Sequence, residues 1–242
     1  KPNTGPRVAA IVGPYLSGKT SLLESILSVT GTLNRKGNVK EANMVGDGTP
    51  EAKSRHMSTE LNVAQCSYLD DIWSFVDCPG SIELGQDARN ALMIADPAIA
   101  VCEADPDRAL TISPILKFLD QHAIPHLIFI NKMDVPGHHV GATLEAIQAV
   151  SEHPLVLREI PIRDGDRVTG HIDLASERAF KWQQGDESKL VGIPDALSGR
   201  EQQARTEMLE SLADFDDGLL EALLEDVIPS SQEIYDNLSK DL

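Results

Sequence analysis

Lys19 and Thr20 close the run GPYLSGKT (residues 13–20), which fits the spacing GxxxxGK[ST] and stands between a strand-like stretch, RVAAIV, and a helix-like one. Such a run does phosphate chemistry. Gly13 and Gly18 let backbone N–H groups turn inward around an anion, the Lys19 ammonium reaches terminal phosphates, and the Thr20 hydroxyl is placed to bind Mg²⁺. Further along, DCPG (77–80) follows the strand-like IWSFV. There Asp77 can approach Mg²⁺ through a water and the Gly80 N–H can face a γ-phosphate. Asp-x-Pro-Gly is also an ordinary turn, and only its place downstream of a phosphate loop favours the functional reading. NKMD (131–134) closes a third strand-like run, HLIFI. A carboxylate at Asp134 can accept from the two adjacent donors of guanine, whereas adenine offers neither and would leave it unpaired. Asn131 would brace the loop and Lys132 would lie over the base plane. By itself NKMD could equally be a helix start capped by Asp. The order of the three motifs at strand ends predicts GTP binding, with an adenosine-triphosphate switch disfavoured by Asp134.

The elements that must hold these motifs are visible as periodicities. RVAAIV (7–12), LNVAQCSY (61–68), IWSFV (72–76), AIAVC (98–102) and HLIFI (126–130) read as strands. TSLLESILSV, LGQDARNALMIA and ALTISPILKFLDQH place apolar residues at helical spacing between them. Strands joined through helices predict an α/β fold with a mostly parallel sheet wrapped by helices, the P-loop NTPase class. Only LDD separates LNVAQCSY from IWSFV, which predicts an antiparallel hairpin at one edge. Residues 1–154 are expected to form this core. From 155 the rhythm changes: VLREIPI and VTGHIDL flank RDGDR as a hairpin, RAFKW offers a third strand, and two or three acidic helices follow. Residues 155–242 are therefore expected to be a separate α+β subdomain. The segment 31–60 is too long for a plain connection and is expected to be a functional or mobile loop.

Bulk properties narrow the classes. The chain has 242 residues, 41% of them apolar, enough for one full core and a smaller second one. It shows neither a membrane-length apolar run nor a signal peptide, so a cytoplasmic protein without membrane contact is expected. Cys66, Cys78 and Cys102 lie apart in apolar contexts with no CxxC pair and read as small core residues. The net charge of −17 is uneven: 12 basic against 18 acidic residues up to 154, then 9 against 20, leaving −11 on the second part. Such a field repels nucleic-acid phosphates and makes protein the better partner for that part than RNA. His138 and His139 in PGHHVG lack nearby carboxylates and read as solvated loop rather than a metal site. Trp73 and Trp182 read as packing residues.

Taken together, the three motifs resemble those of the GTP-binding proteins of translation, and the rest of the chain narrows the likeness to elongation factor G and its close paralogues. IPIRDGDRVTGHIDLASERAFKWQQGD looks like the start of the subdomain that elongation factor G inserts into its GTPase domain, and LESLADFDDGLLEALLED looks like its helices. The resemblance implies GTP contacts from Gly13, Leu16, Ser17, Gly18, Lys19, Thr20, Ser21, Asp77, Gly80, Asn131, Lys132 and Asp134. It implies Mg²⁺ held through Thr20, Thr59 and Asp77, catalysis by Lys19, Asp77, Gly80 and Thr59, and the ribosome as partner of the full-length protein. The long loop becomes the first switch, with Thr59 ending HMST (56–59) where the family usually has Arg-Gly-Ile-Thr. Two further departures stand out: Ser81 follows DCPG where the family usually has the histidine that orients water, and Leu16 stands where an Asp is common. A serine hydroxyl is too short to replace imidazole. Good nucleotide binding with slow or differently assisted hydrolysis is therefore expected, the alternative being a non-hydrolysing, GTP-dependent ribosome-binding or regulatory module. By the same likeness a final core strand, a Ser-Ala guanine loop and a closing helix would follow Leu242, so the chain is expected to be a fragment.

Overall fold

In the computed structural model the described residues are 7–37, 43–47, 49–55, 57–135, 137, 139–183, 187–225 and 227–241. The chain divides into two compact units. The first comprises Lys1–Lys132 and Glu145–Glu152, and the second Met133–Leu144 and His153–Leu242.

In chain order the first part runs β1 (Arg7–Val12), α1 (Lys19–Val29), α2 (Pro50–Arg55), β2 (Asn62–Tyr68), β3 (Asp71–Asp77), α3 (Gly85–Leu92), β4 (Ala98–Glu103), α4 (Pro106–Ala109), α5 (Ser113–Gln121), β5 (His126–Asn131) and α6 (Val140–Gln148). The five strands form one sheet in the order β2-β3-β1-β4-β5. All neighbours are parallel except β2 and β3, which pair antiparallel as the short LDD connection predicts. Leu69 and Asp70 make that connection with φ of 50° and 65°, the left-handed pair a two-residue hairpin needs. The fold class read from the sequence is the one observed.

Central parallel strands are covered on both faces, which is why β1 and β4 read as unbroken apolar runs. Ala9 and Ile11 of β1 join Phe75, Val101, Leu23 and Leu27 in a cluster that packs α1 on one face of the sheet. The alternate residues Ala10 and Val12 are equally buried, and α3 packs on β1 as α5 does on β4. Each fully buried Leu or Ile contributes about 1.5–3 kcal/mol, so these clusters dominate the unit's stability. Cys66, Cys78 and Cys102 are free and buried, as expected of small core residues. Burial pushes the Cys78 and Cys102 thiols up to about 12, so both are inert at neutral pH.

One helix differs from its sequence pattern. ALTISPILKFLDQH is not continuous: α4 ends at Ala109, a 3₁₀ turn spans Leu110–Ile112, and α5 restarts at Ser113 with Pro114 in its first turn. Proline has no N–H to give the preceding turn but suits a helix start, so it resets the helix here. The long loop also carries structure, a 3₁₀ turn at Val45–Asp47 followed by α2.

The second unit contains β6 (Glu159–Asp164), β7 (Arg167–Asp173), β8 (Arg178–Lys181), β9 (Lys189–Val191), α7 (Asp195–Ala213), α8 (Asp217–Leu224) and α9 (Ser231–Asp241). Its strands form an antiparallel sheet in chain order. Gly165 supplies the φ of 59° that the turn after β6 requires. On α7 the buried positions Glu201, Ala204, Arg205, Met208, Leu209, Leu212 and Ala213 recur at three- and four-residue spacing and close over Ile160, Ile172 and Leu174. Trp182 departs from the packing role expected of it, being 55% exposed just past β8. Among the described residues no helix is long and apolar enough to cross a membrane.

Candidate functional site

Three of the four parallel strands, β1, β3 and β5, end where a motif begins, so the three motifs start at the same end of the sheet. The connection from β1 leads to β2 and β3 on one side of it, and the one from β3 crosses to β4 on the other, so the strand order reverses between β1 and β4, the place where open α/β sheets bind ligands.

GPYLSGKT wraps from the end of β1 into the N-terminus of α1. Gly18 holds φ 96° and Leu16 φ 62°, so the loop doubles back with its amides turned inward. A Cβ on Gly13 would strike the Val101 carbonyl, and one on Gly18 would strike the Asn131 amide. Glycine is required at both. The first-turn amides of α1 then point out past Gly18, making an anion site of that helix end. Lys19 is only 6% exposed and donates from Nζ to the Pro14 carbonyl at 2.9 Å. Gly80 of DCPG comes so close that a Cβ there would meet both Lys19 Nζ and, at 2.8 Å, the Pro14 carbonyl oxygen.

A second convergence involves oxygen atoms. Thr20 Oγ1 donates to Oδ2 of the fully buried Asp77 at 2.6 Å and lies 3.0 Å from Ser58 Oγ. Thr20 has one hydroxyl hydrogen and gives it to Asp77, so Ser58 is the donor in the second contact. One carboxylate and two hydroxyls within this span are hard oxygen donors of the sort Mg²⁺ takes when phosphates and waters complete its shell. The residues present fit that ion. No cluster of three His, Cys, Asp or Glu side chains suited to a metal occurs among the described residues. His139 is exposed, and His138 lies outside the described residues.

The long loop is fastened over this convergence by groups the motifs did not reveal. Glu24 on α1 is buried, and its carboxylate accepts the Gly37 N–H at 3.0 Å and the Val45 N–H. Asn62 donates to the Gly46 carbonyl. Gly46 thereby comes so near that a Cβ would stand 2.5 Å from Thr20 Cγ2 and 2.9 Å from Asp77 Oδ2. Glu24 had a sequence signal, a carboxylate beside Leu23 and Leu27 within the apolar stripe of α1. Ser58 and Gly46 had none, because their roles arise from where the loop folds back. Thr59, the expected loop ligand, lines a neighbouring cleft with Gly80 and Ser81.

That cleft has a volume of about 1030 Å³ and runs from Gly13, Pro14 and Ser17 past Ser81 toward Arg108 and Phe118. The hydroxyls of Ser17 and Ser81 are buried with no hydrogen-bond partner among the described residues. Leu16 is 51% exposed, so it offers neither packing nor charge to the loop.

At the far end, Asn131 donates from Nδ2 to the Ser17 carbonyl at 2.9 Å, tying the NKMD segment to the phosphate loop. Lys132 follows in a left-handed conformation, φ 58°, and its Nζ donates to Glu103 Oε1 at 2.9 Å. Arg108 places one nitrogen 2.8 Å from both oxygens of the same carboxylate. Burial alone would raise the Glu103 pKa, but hydrogen bonds and charge from Arg108 and Lys132 outweigh it and hold the group below the usual range. Asp134 is exposed in the turn that follows, within the second unit. Ser21 lies in the first turn of α1, where its carbonyl accepts the Ser25 hydroxyl at 2.8 Å.

Comparison with known proteins places the chain in a family. Residues 6–227 match the family described as Elongation factor Tu GTP binding domain. The chain is 50% identical over 240 residues to an elongation factor G-like protein of Synechocystis sp., covering 99% of this chain and 36% of that protein. It is 28% identical over 222 residues to elongation factor G 2 of Streptomyces coelicolor, covering 91% of this chain and 32% of the relative. A crystal structure of a protein from Thermus thermophilus superposes with a TM-score of 0.87 at 28% identity, over 97% of this chain and 35% of that one. The chain thus spans about a third of the length of the relatives it matches. It belongs to the elongation factor Tu GTP binding domain family and is an elongation factor G-like GTP-binding domain.

Proposed function

We propose that the chain binds GTP with Mg²⁺, hydrolyses it slowly, and serves in the full-length protein as a ribosome-associated switch. The observation that carries the reading is the 2.6 Å bond from Thr20 to Asp77. It joins the phosphate loop to DCPG at one point, beside the buried Lys19 and beneath Gly46.

In this reading the inward amides of 13–20 and the helix end take the phosphate charge, and Lys19 leaves the Pro14 carbonyl for the terminal phosphates. Thr20 and Asp77, with Ser58 or Thr59 from the loop, would hold Mg²⁺, which when bound neutralises charge on the β- and γ-oxygens. The Gly80 N–H faces the γ-phosphate, and Asp134 selects guanine by accepting from its two donors. Residues 1–154 act as the nucleotide core and 155–242 as an inserted acidic subdomain suited to a protein partner.

Slow turnover follows from Ser81. Its hydroxyl is buried in the cleft and cannot extend as an imidazole would, so water at the γ-phosphate lacks its usual director. Groups of that kind are worth factors of about 10³–10⁵ in related GTPases. Single-turnover hydrolysis by the full-length protein, with and without ribosomes, tests this. The expected outcome is tight GTP binding with a low rate in both arms, and a rise of tenfold or more (roughly one such group's partial return) for Ser81→His. A ribosome-stimulated rate equal to that of ordinary family members refutes slow hydrolysis. No hydrolysis in either arm, with Ser81→His also silent, favours the rival reading of a GTP-dependent binding module.

A further inference from the structure

Glu103 is the last residue of β4, only 7% exposed, and belongs to none of the three motifs. Its neighbours come from two other places in the chain. Arg108 arrives on α4, a single turn started by Asp105, whose side chain accepts the Asp107 N–H at 3.0 Å, with Pro106 in the first position. Lys132 arrives from the end of β5, whose backbone is locked to the same spot by the Ala104 N–H donating to the Asn131 carbonyl at 3.0 Å. One Arg108 nitrogen donates to both carboxylate oxygens, and Oε1 also accepts from Lys132 at 2.9 Å, so the carboxylate is held from two sides.

A lysine side chain has four freely turning bonds and contacts a base face well only when those are already ordered. We propose that Glu103 is a positioning residue for base recognition: its carboxylate, itself set by Arg108, holds the Lys132 stem where it can lie along the guanine ring. The inference rests on the guanine-nucleotide reading above and adds a residue to it. Arg108 has a side chain 59% exposed and Lys132 one 33% exposed, against 8% for Glu103. The carboxylate is therefore the buried fixed point and the two cations are the groups it holds.

The test is a double-mutant cycle in the intact protein, read as affinity for GDP and GTP by titration calorimetry. Glu103→Gln should weaken both nucleotides equally, by about tenfold, the factor that ordering one long side chain is worth. In the Lys132→Met background the same change should have no further effect, since the residue through which Glu103 acts is gone. Glu103→Asp should recover part of the loss. Additive losses, a loss confined to GTP, or an unchanged affinity overturns the proposal. Circular dichroism checks folding; if Glu103→Gln does not fold, the cycle is run with Glu103→Asp, which keeps the charge and withdraws it by one methylene. A parent protein with no preference for GDP over ADP refutes the guanine reading itself, whereas a guanine-selective parent with an additive cycle refutes only the role of Glu103.

Discussion

The two units differ in where their buried polar groups and strained backbone gather. In the second, Arg158 pairs with both oxygens of Asp173, the Tyr235 hydroxyl donates to Asp173 Oδ2 at 3.0 Å, and the Arg158 guanidinium lies 5.0 Å above the Tyr235 ring. Arg205, a buried residue of α7, donates to the carbonyls of Leu174 and Ala175 and meets Glu177 at 3.2 Å. These contacts close on one another and lock β7 to the helices. In the first unit, buried hydroxyls at Ser17 and Ser81 face a cleft without partners among the described residues, and non-glycine residues at Leu16 and Lys132 hold left-handed φ. Strain of that kind costs about 1–3 kcal/mol per residue and persists only where the surroundings enforce it. The second unit resolves most of its polar groups internally, although Glu201 Oε1 is buried without a partner among the described residues and Glu177 holds φ 53°, whereas the first turns two unpartnered hydroxyls toward one cleft.

Substitutions should separate these two regimes. The largest effect is expected for Lys19→Met, which removes the buried ammonium proposed to meet the terminal phosphates. GTP affinity should fall about a hundredfold, the worth of a lost charge-assisted bond, with little change in melting temperature. An equal loss of stability and affinity would mean Lys19 is structural. Next is Asp173. Its burial would raise its pKa, but Arg158 and the Ser176 amide outweigh this and lower it from 3.8 to about 2. A depressed folded-state value means the stabilisation is complete above the unfolded value near 4, and is lost as pH falls through the folded value. Asp173→Asn should therefore cost about 2 kcal/mol at neutral pH, shrinking between about pH 4 and 2, with nucleotide affinity unchanged. Urea denaturation across that range checks it, and a penalty independent of pH would exclude the ion pair as its source.

How much of this is legible in the sequence depends on whether the information is local. RVAAIV and AIAVC announce buried parallel strands because both faces of each are covered, and RDGDR announces its hairpin because Asp-Gly fits few other backbones. Gly13, Gly18, Lys19 and Thr20 are legible because one loop supplies all their geometry. β9 escapes a reading by period because its three residues, Lys189–Val191, are too few to show one. The break before α5 is signalled by Pro114. Glu24, Gly46, Ser58 and Glu103 act through contacts with distant segments, which no local spacing encodes; only the carboxylate in an apolar helix face and the one at a strand's end give a hint.

A smaller effect should follow from crowding the loop over Thr20 and Asp77. Gly46→Ala places a methyl group against both, so the loop must withdraw from the oxygens proposed to hold Mg²⁺. The affinity for GTP with Mg²⁺ should fall about tenfold, the scale of one lost hydrogen-bonded contact, while GDP binding in the presence of a chelator stays unchanged. Equal loss in both conditions would place Gly46 outside the metal's reach.

The smallest effect is expected at Leu16, and it tests whether strain in the phosphate loop is relieved or required. At φ 62° a leucine crowds its own carbonyl, and with half its surface in water it recovers little by packing. Leu16→Gly removes that cost but gives the unfolded chain more freedom, and the two oppose each other. A net gain of under about 1 kcal/mol in chemical denaturation is expected, because αL crowding exceeds the usual glycine penalty. GTP affinity should hold, since on the proposed reading it is the loop's amides and not this side chain that meet the phosphates. A loss of affinity alongside the gain would show instead that the side chain, and not only the loop's shape, is what this chain uses where an Asp is common.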